Sequence, residues 1–114
     1  MKDLTIIEKE KLLTEVKSFL DITWDDDDVN KDVWADIVES IRWIDNLCGV
    51  EIDYLTTEET QGEAQYLSLC THAYSLLKAR VFYMREKAID DFPKNYQNEL
   101  TGLYIEGRAY ASTL

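Results

Sequence analysis

Between about residues 60 and 91, apolar side chains recur on more than one side of what the spacing predicts as a single long helix. Tyr66, Cys70, Ala73, Tyr74, Leu77, Val81, Met84 and Ala88 fall on one face. Leu69, Leu76 and Tyr83 make a second strip, and Phe82 points elsewhere again. A helix that is apolar on several sides is buried on several sides. This segment is therefore the centre of the fold, and it has few neighbours in a chain of 114 residues. Either the chain's own helices wrap it, or further copies cover what they leave bare. The second strip makes self-association the working expectation.

The remaining residues favour helix as well, since there are one proline and four glycines. A first helix is predicted over about 6–20, where Thr5 and Glu8 have capping-box spacing and Ile6, Leu13, Val16, Phe19 and Leu20 recur every three or four positions. Residues 21–28 read as a loop that holds Trp24 and ends in four aspartates, which the dipole of the following helix favours. The second helix, about 28–48, carries the stripe Val33, Ile37, Ile41, Ile44 and Cys48, flanked by Trp34 and Val38 and stopped by Gly49. Trp43 lies roughly 120° from that stripe, either against another helix or outside. Residues 50–57 alternate apolar and polar with no partner strand in view, so they are expected as a connecting arm with an ordered tip. Thr56 with Glu59, and Thr60 with Glu63, offer caps for the third helix. Pro93 is expected to end that helix, because the residue before a proline is pushed out of the α region. A fourth helix, about 94–111, puts Tyr96, Leu100, Leu103, Tyr104, Gly107 and Tyr110 on one side, and Gly107 either admits a close backbone or weakens the helix. The expectation is an all-α, four-helix bundle-like single domain over residues 1–114, with a long central third helix and a short extended arm between helices two and three.

Charge is unevenly placed. Residues 1–63 hold 6 basic and 18 acidic side chains, net −12; residues 64–114 hold 6 and 5, net +1; the whole chain is −11. Such acidity disfavours tight binding to nucleic acid. It serves solubility, or lets the acidic half of one copy meet Lys78, Arg80, Arg85 and Lys87 of another. No run approaches the roughly 20 apolar residues of a membrane span, so no membrane partner is expected. The start, Met1-Lys2-Asp3-Leu4, lacks the regions of a signal peptide. Cys48 and Cys70 are expected as reduced, buried, small hydrophobes of a cytosolic protein.

The search for chemistry gives little. His72 is the only histidine, and no nucleophile, base and orienting group stand at triad spacing around it. Cys70 and His72 would point about 200° apart on a helix, so they cannot clamp one metal. Counting from Asp25, an EF-hand loop would need glycine at the sixth position and glutamate at the twelfth; Asn30 and Asp36 stand there. Asp90 and Asp91 have no partner that would raise one of them. Neither catalysis, metal nor cofactor is expected.

Several segments together resemble the small head–tail connector (adaptor) proteins of tailed phages and prophages, the helical proteins that sit beneath the portal. Leu12-Leu13-Thr14-Glu15-Val16-Lys17-Ser18-Phe19-Leu20 is similar to that family's first helix. The acidic loop Trp24-Asp25-Asp26-Asp27-Asp28 and then Ile37-Val38-Glu39-Ser40-Ile41 follow as they do there. Ala73-Tyr74-Ser75-Leu76-Leu77-Lys78-Ala79-Arg80 resembles the long third helix, and Phe92-Pro93-Lys94-Asn95-Tyr96 the break into the last one. The resemblance implies a structural, non-catalytic subunit of a homo-oligomeric ring, often dodecameric in that family. Its implied partners are the portal protein and a downstream tail or stopper protein, with DNA passing through the channel only as cargo. The implied setting is the virion head–tail junction, and the host cytoplasm before assembly.

On that reading the candidate ring-interface positions are Trp43, Leu69, Leu76, Arg80, Tyr83 and Arg85, and Asp25, Asp26, Asp27 and Asp28 face the channel or a neighbour. The alternative from another class is an acidic DNA mimic that occupies the basic groove of a host nucleic-acid-binding enzyme.

Overall fold

The structure, a computed structural model, describes residues 3–56 and 64–114. Those residues form an all-α bundle. Helix α1 spans Ile6–Phe19, α2 Asp27–Cys48 and α3 Ala64–Arg85. A 3-10 turn, Ile89–Asp91, leads into the single-turn α4, Phe92–Asn95, and then α5, Gln97–Ala111. Helix α2 packs on both α3 and α5, α3 packs on α5, and α1 lies against α2.

The ends of α1 and α2 follow their local chemistry. Thr5 Oγ1 accepts from the Glu8 amide at 3.1 Å while a Glu8 carboxylate oxygen accepts from the Thr5 amide at 3.1 Å, so the capping box forms. Asp26 caps α2, its carboxylate accepting from the amides of Asp28 and Val29 at 2.9 and 3.1 Å. Gly49, with φ 77°, closes α2 in the left-handed region. The α2 stripe of Val33, Ile37, Ile41, Ile44 and Cys48 is buried throughout. In α1 the buried residues are Leu12 and Val16; Ile6 and Phe19, placed in the apolar repeat, are exposed.

Helix α3 ends earlier than its periodicity predicts. Lys87 sits at φ 56°. Its amide bonds Met84 O at 3.1 Å and the next amide, of Ala88, bonds Tyr83 O at 2.8 Å, which is a Schellman closure. Asp21, at φ 61°, closes α1 in the same way through Ser18 O and Lys17 O. Pro93 therefore does not stop the third helix. It lies in the first turn of α4, where the amide it lacks would have had no helical partner. The expected fourth helix is split at Tyr96, whose φ −114° and ψ 25° leave the helical region.

Both apolar strips of α3 are covered inside the chain, which corrects the expectation that copies must cover the second. Leu69 is 0% exposed and Leu76 6%, and Tyr83 is half-buried against Phe92 and Tyr96, ring centroids 5.7 and 5.8 Å away. The cover comes from α5 and the α4 turn, which run back along α3. Only Phe82 among these residues stays largely open.

Residues 50–56 run against the core of their own chain. Ile52 and Tyr54 are buried, and side chains serve the backbone where a neighbouring strand would otherwise do so. Asp45 accepts from the Ile52 amide at 3.3 Å, Tyr66 Oη accepts from the Asp53 amide at 3.1 Å, and the same hydroxyl donates to Glu51 O at 3.1 Å. The continuation of this stretch, with the caps built on Glu59, Thr60 and Glu63, lies outside the described residues.

Candidate functional site

The loop between α1 and α2 is organised around an ammonium. Lys17, only 13% exposed, donates to Asn30 Oδ1 at 2.7 Å and Trp24 O at 2.9 Å, with Asp25 Oδ1 at 3.9 Å. Asn30 Nδ2 in turn donates to Asp25 Oδ1 at 2.8 Å. The side chains that a sequence scan offers to a cation are thus gathered around one the chain supplies itself. They edge an open cleft of about 620 Å³ between the two helices, with Glu10, Asp21 and Asp27 also on its walls. Asp25, Asp26, Asp27 and Asp28 are all exposed, although Asp25 is engaged by Asn30 and Asp26 is spent on the cap. Among the described residues no three or more His, Cys, Asp or Glu side chains are grouped to hold a metal ion.

The six proposed interface positions divide sharply. Arg80 is 5% exposed: its guanidinium donates to Ser40 Oγ at 2.9 Å, lies 3.6 Å from Glu39 Oε1, and stacks over Trp43, 5.0 Å from the ring centroid. Burial pushes its pKa down, and Glu39 and Asp36 oppose that. Trp43 is half-buried and meets Phe92 edge-on, centroids 5.9 Å apart, so its off-stripe position faces a neighbouring element. Leu69, Leu76 and Tyr83 are covered as described above. Arg85 alone of the six is exposed. The positions Trp43, Leu69, Leu76, Arg80 and Tyr83 are therefore corrected from an outer surface to internal packing.

The charge split is also used at home. Burial raises the pKa of Asp36 on α2, and Arg85 and Lys87 at the end of α3 counter the rise. With Glu39 on Arg80, the basic C-terminal part of α3 lies near the acidic side chains in the middle of α2 in the same chain. Sequence separation hid this pairing, since Ser40 and Arg80 are 40 positions apart.

Two polar features escaped the sequence reading. Asp45 faces the arm, where Tyr54 Oη donates to it at 3.0 Å. Burial pushes the Asp45 carboxyl up to about 6, against the two hydrogen bonds it accepts, and its Oδ2 is buried without a partner. The signal was present: Asp45 follows Ile41 by four and precedes Cys48 by three, on the apolar stripe itself. The second feature is a groove of about 340 Å³ between α3 and α5, with Leu76, Leu103, Tyr96 and Gly102 among its lining. His72 stands on its rim with Nδ1 2.9 Å from Glu106 Oε2, and Glu99 is beside them. Cys70, two residues from His72, points inward and is buried, as helical geometry requires. Both cysteines are free thiols, and burial raises the pKa of each, that of Cys48 to about 12.

What remains open on the surface is a scattering of large apolar side chains: Ile6 and Ile7 on α1, Phe19, Trp24, Phe82, Tyr104, Ile105 and Leu114. No helix among the described residues is long and apolar enough to cross a membrane. Comparison with family models, curated proteins and solved structures gave no match to this chain.

Proposed function

We propose that this chain is a structural subunit of a phage or prophage head–tail connector, assembling as a ring beneath a portal and continuing the DNA channel toward the tail. The observation that carries the reading is the acidic tip of the α1–α2 hairpin, where four consecutive aspartates are all exposed. A wall of that charge repels phosphate and lets a duplex slide without gripping it. Four of the segments that resemble the connector family fall on α1, the middle of α2, α3 and the turn into α5, which contribute to the core, and the fifth, Trp24–Asp28, is the exposed acidic loop. Leu69 and Leu76 are buried, so a ring contact would draw instead on exposed apolar residues such as Ile6 and Ile7 of α1. The role is non-catalytic, with a portal and a tail or stopper protein as partners and DNA as cargo.

The DNA-mimic alternative needs carboxylates free at phosphate-like spacing. Asp26 is committed to capping α2 and Asp25 to Asn30, which favours the connector reading. Native mass measurement and negative-stain imaging at high concentration, with and without a portal protein, test the proposal. Rings that dock on the portal are the expected result. Persistent monomers that ignore it would overturn it.

A further inference from the structure

We infer that Met84 is a site of oxidation by peroxides, and that the sulfoxide oxygen, received by Arg80 and Ser40, fastens α3 to α2 more firmly than the thioether does. The inference is independent of the connector reading. Two hydrogen-bond donors converge on the sulfur: Ser40 Oγ lies 3.4 Å from Met84 Sδ, and Arg80 Nη1 lies 3.3 Å from it. Arg80 Nη1 also donates to Ser40 Oγ at 2.9 Å, which leaves the serine hydroxyl hydrogen for the sulfur. Donors from both helices thus meet at an atom that is a weak acceptor.

A shortage of acceptors marks the site. A guanidinium carries only donors, and Arg80 is 5% exposed, so water meets little of its need. Its Nε is buried without a partner, and the Glu39 carboxylate oxygen stands 3.6 Å from Nη2, beyond good hydrogen-bond length. Oxidation would place a polar oxygen where this buried cation has only a thioether. Among purely apolar neighbours the same change disrupts packing. Met84 is half-buried in the last turn of α3, so its side chain is not sealed from solvent. The step needs a peroxide and nothing else. A lone pair of Sδ attacks one peroxide oxygen, and the S–O bond forms as the O–O bond breaks. With hydrogen peroxide, the proton of the attacked oxygen passes to the departing one, which leaves as water. The sulfur gives up two electrons and the peroxide takes them.

Hydrogen peroxide applied to the folded protein, read by peptide mass mapping and thermal melting, tests the site. Met1 and Met84 are the only methionines in the sequence, so the mass map assigns the added oxygen to one or the other. Conversion of Met84 is expected to raise Tm by roughly 2–5 °C. Peroxide should leave the Tm of Met84→Leu unchanged, which separates this effect from oxidation elsewhere. Met84→Gln makes the comparison without an oxidant, since it offers Arg80 and Ser40 an amide oxygen in place of the sulfur. It should melt above Met84→Leu by a similar margin. A Met84 that stays unmodified in the folded protein, or a Tm that fails to rise as Met84 is converted, overturns the inference. So does a peroxide shift that persists in Met84→Leu, or a glutamine variant that melts no higher than the leucine one.

Discussion

Replacing Gly107 with alanine sets two sizeable effects against each other in one helix. Glycine inside a helix costs about 1 kcal/mol relative to alanine, so on propensity alone the change stabilises. The added Cβ, however, would stand 2.7 Å from both Cα and O of Cys48, where ordinary contact begins at 3.4 Å. Those are backbone atoms of the last turn of α2 and cannot rotate aside. Helix α5 would have to withdraw by roughly 0.7 Å, loosening Leu100 and Leu103 from the core as it goes. Overpacking of this kind costs about 1–3 kcal/mol, so Gly107→Ala is expected to be destabilising by about 1–2 kcal/mol net. Gly102 provides the internal control, since it lies in the same helix and its added Cβ meets open space. Gly102→Ala should stabilise by about 1 kcal/mol. The two variants should therefore differ by about 2–3 kcal/mol in urea denaturation followed by far-ultraviolet circular dichroism, and by on the order of 10 °C in Tm. If Gly107→Ala stabilises as much as Gly102→Ala, α5 does not touch the α2 backbone and the packing argued for it is wrong.

Two further substitutions probe the polar interior and the helix ends. Folding raises the Asp45 carboxyl from 3.8 to about 6, so between those values the native state holds more proton than the unfolded one, and this group's contribution to stability falls as pH rises through that window. Asp45→Asn lacks the titration, and its stability relative to the wild type should climb between pH 4 and pH 7 in parallel thermal melts; a constant difference would refute the assignment. Lys87→Gly relieves a left-handed lysine at the end of α3 and should stabilise by about 0.5–1 kcal/mol, whereas a loss of stability would mean that this turn is not closed as described.

The elements whose signals are local were legible in the sequence. Thr5 with Glu8, the aspartates before α2 and Gly49 after it each act within four residues, and the α2 stripe reports its own burial. The end of α3 was not legible because a lysine occupies the position where glycine is the usual marker. The cover over Leu69, Leu76 and Tyr83 was missed for a different reason. Periodicity reports that a face is apolar and says nothing about which element lies on it, and here α4 and α5 return from the far side of a turn. Arg80 misled in the same way: its charge suggested surface, while Ser40, Glu39 and Trp43, all distant in sequence, accommodate it inside. The groove by Gly102 depends on the spacing of two helices, which no residue pattern encodes.

The claim beneath all of this is that the subunit is finished before it meets another copy, with α3 sheltered on both sides by α2 and α5 of its own chain. Hydrogen exchange of the α3 amides, followed from dilute protein up to concentrations at which association begins, tests it most directly. Strong protection from Leu69 to Val81 that does not change with concentration is the expected result. Amides there that exchange freely in the monomer and become protected only on assembly would contradict it.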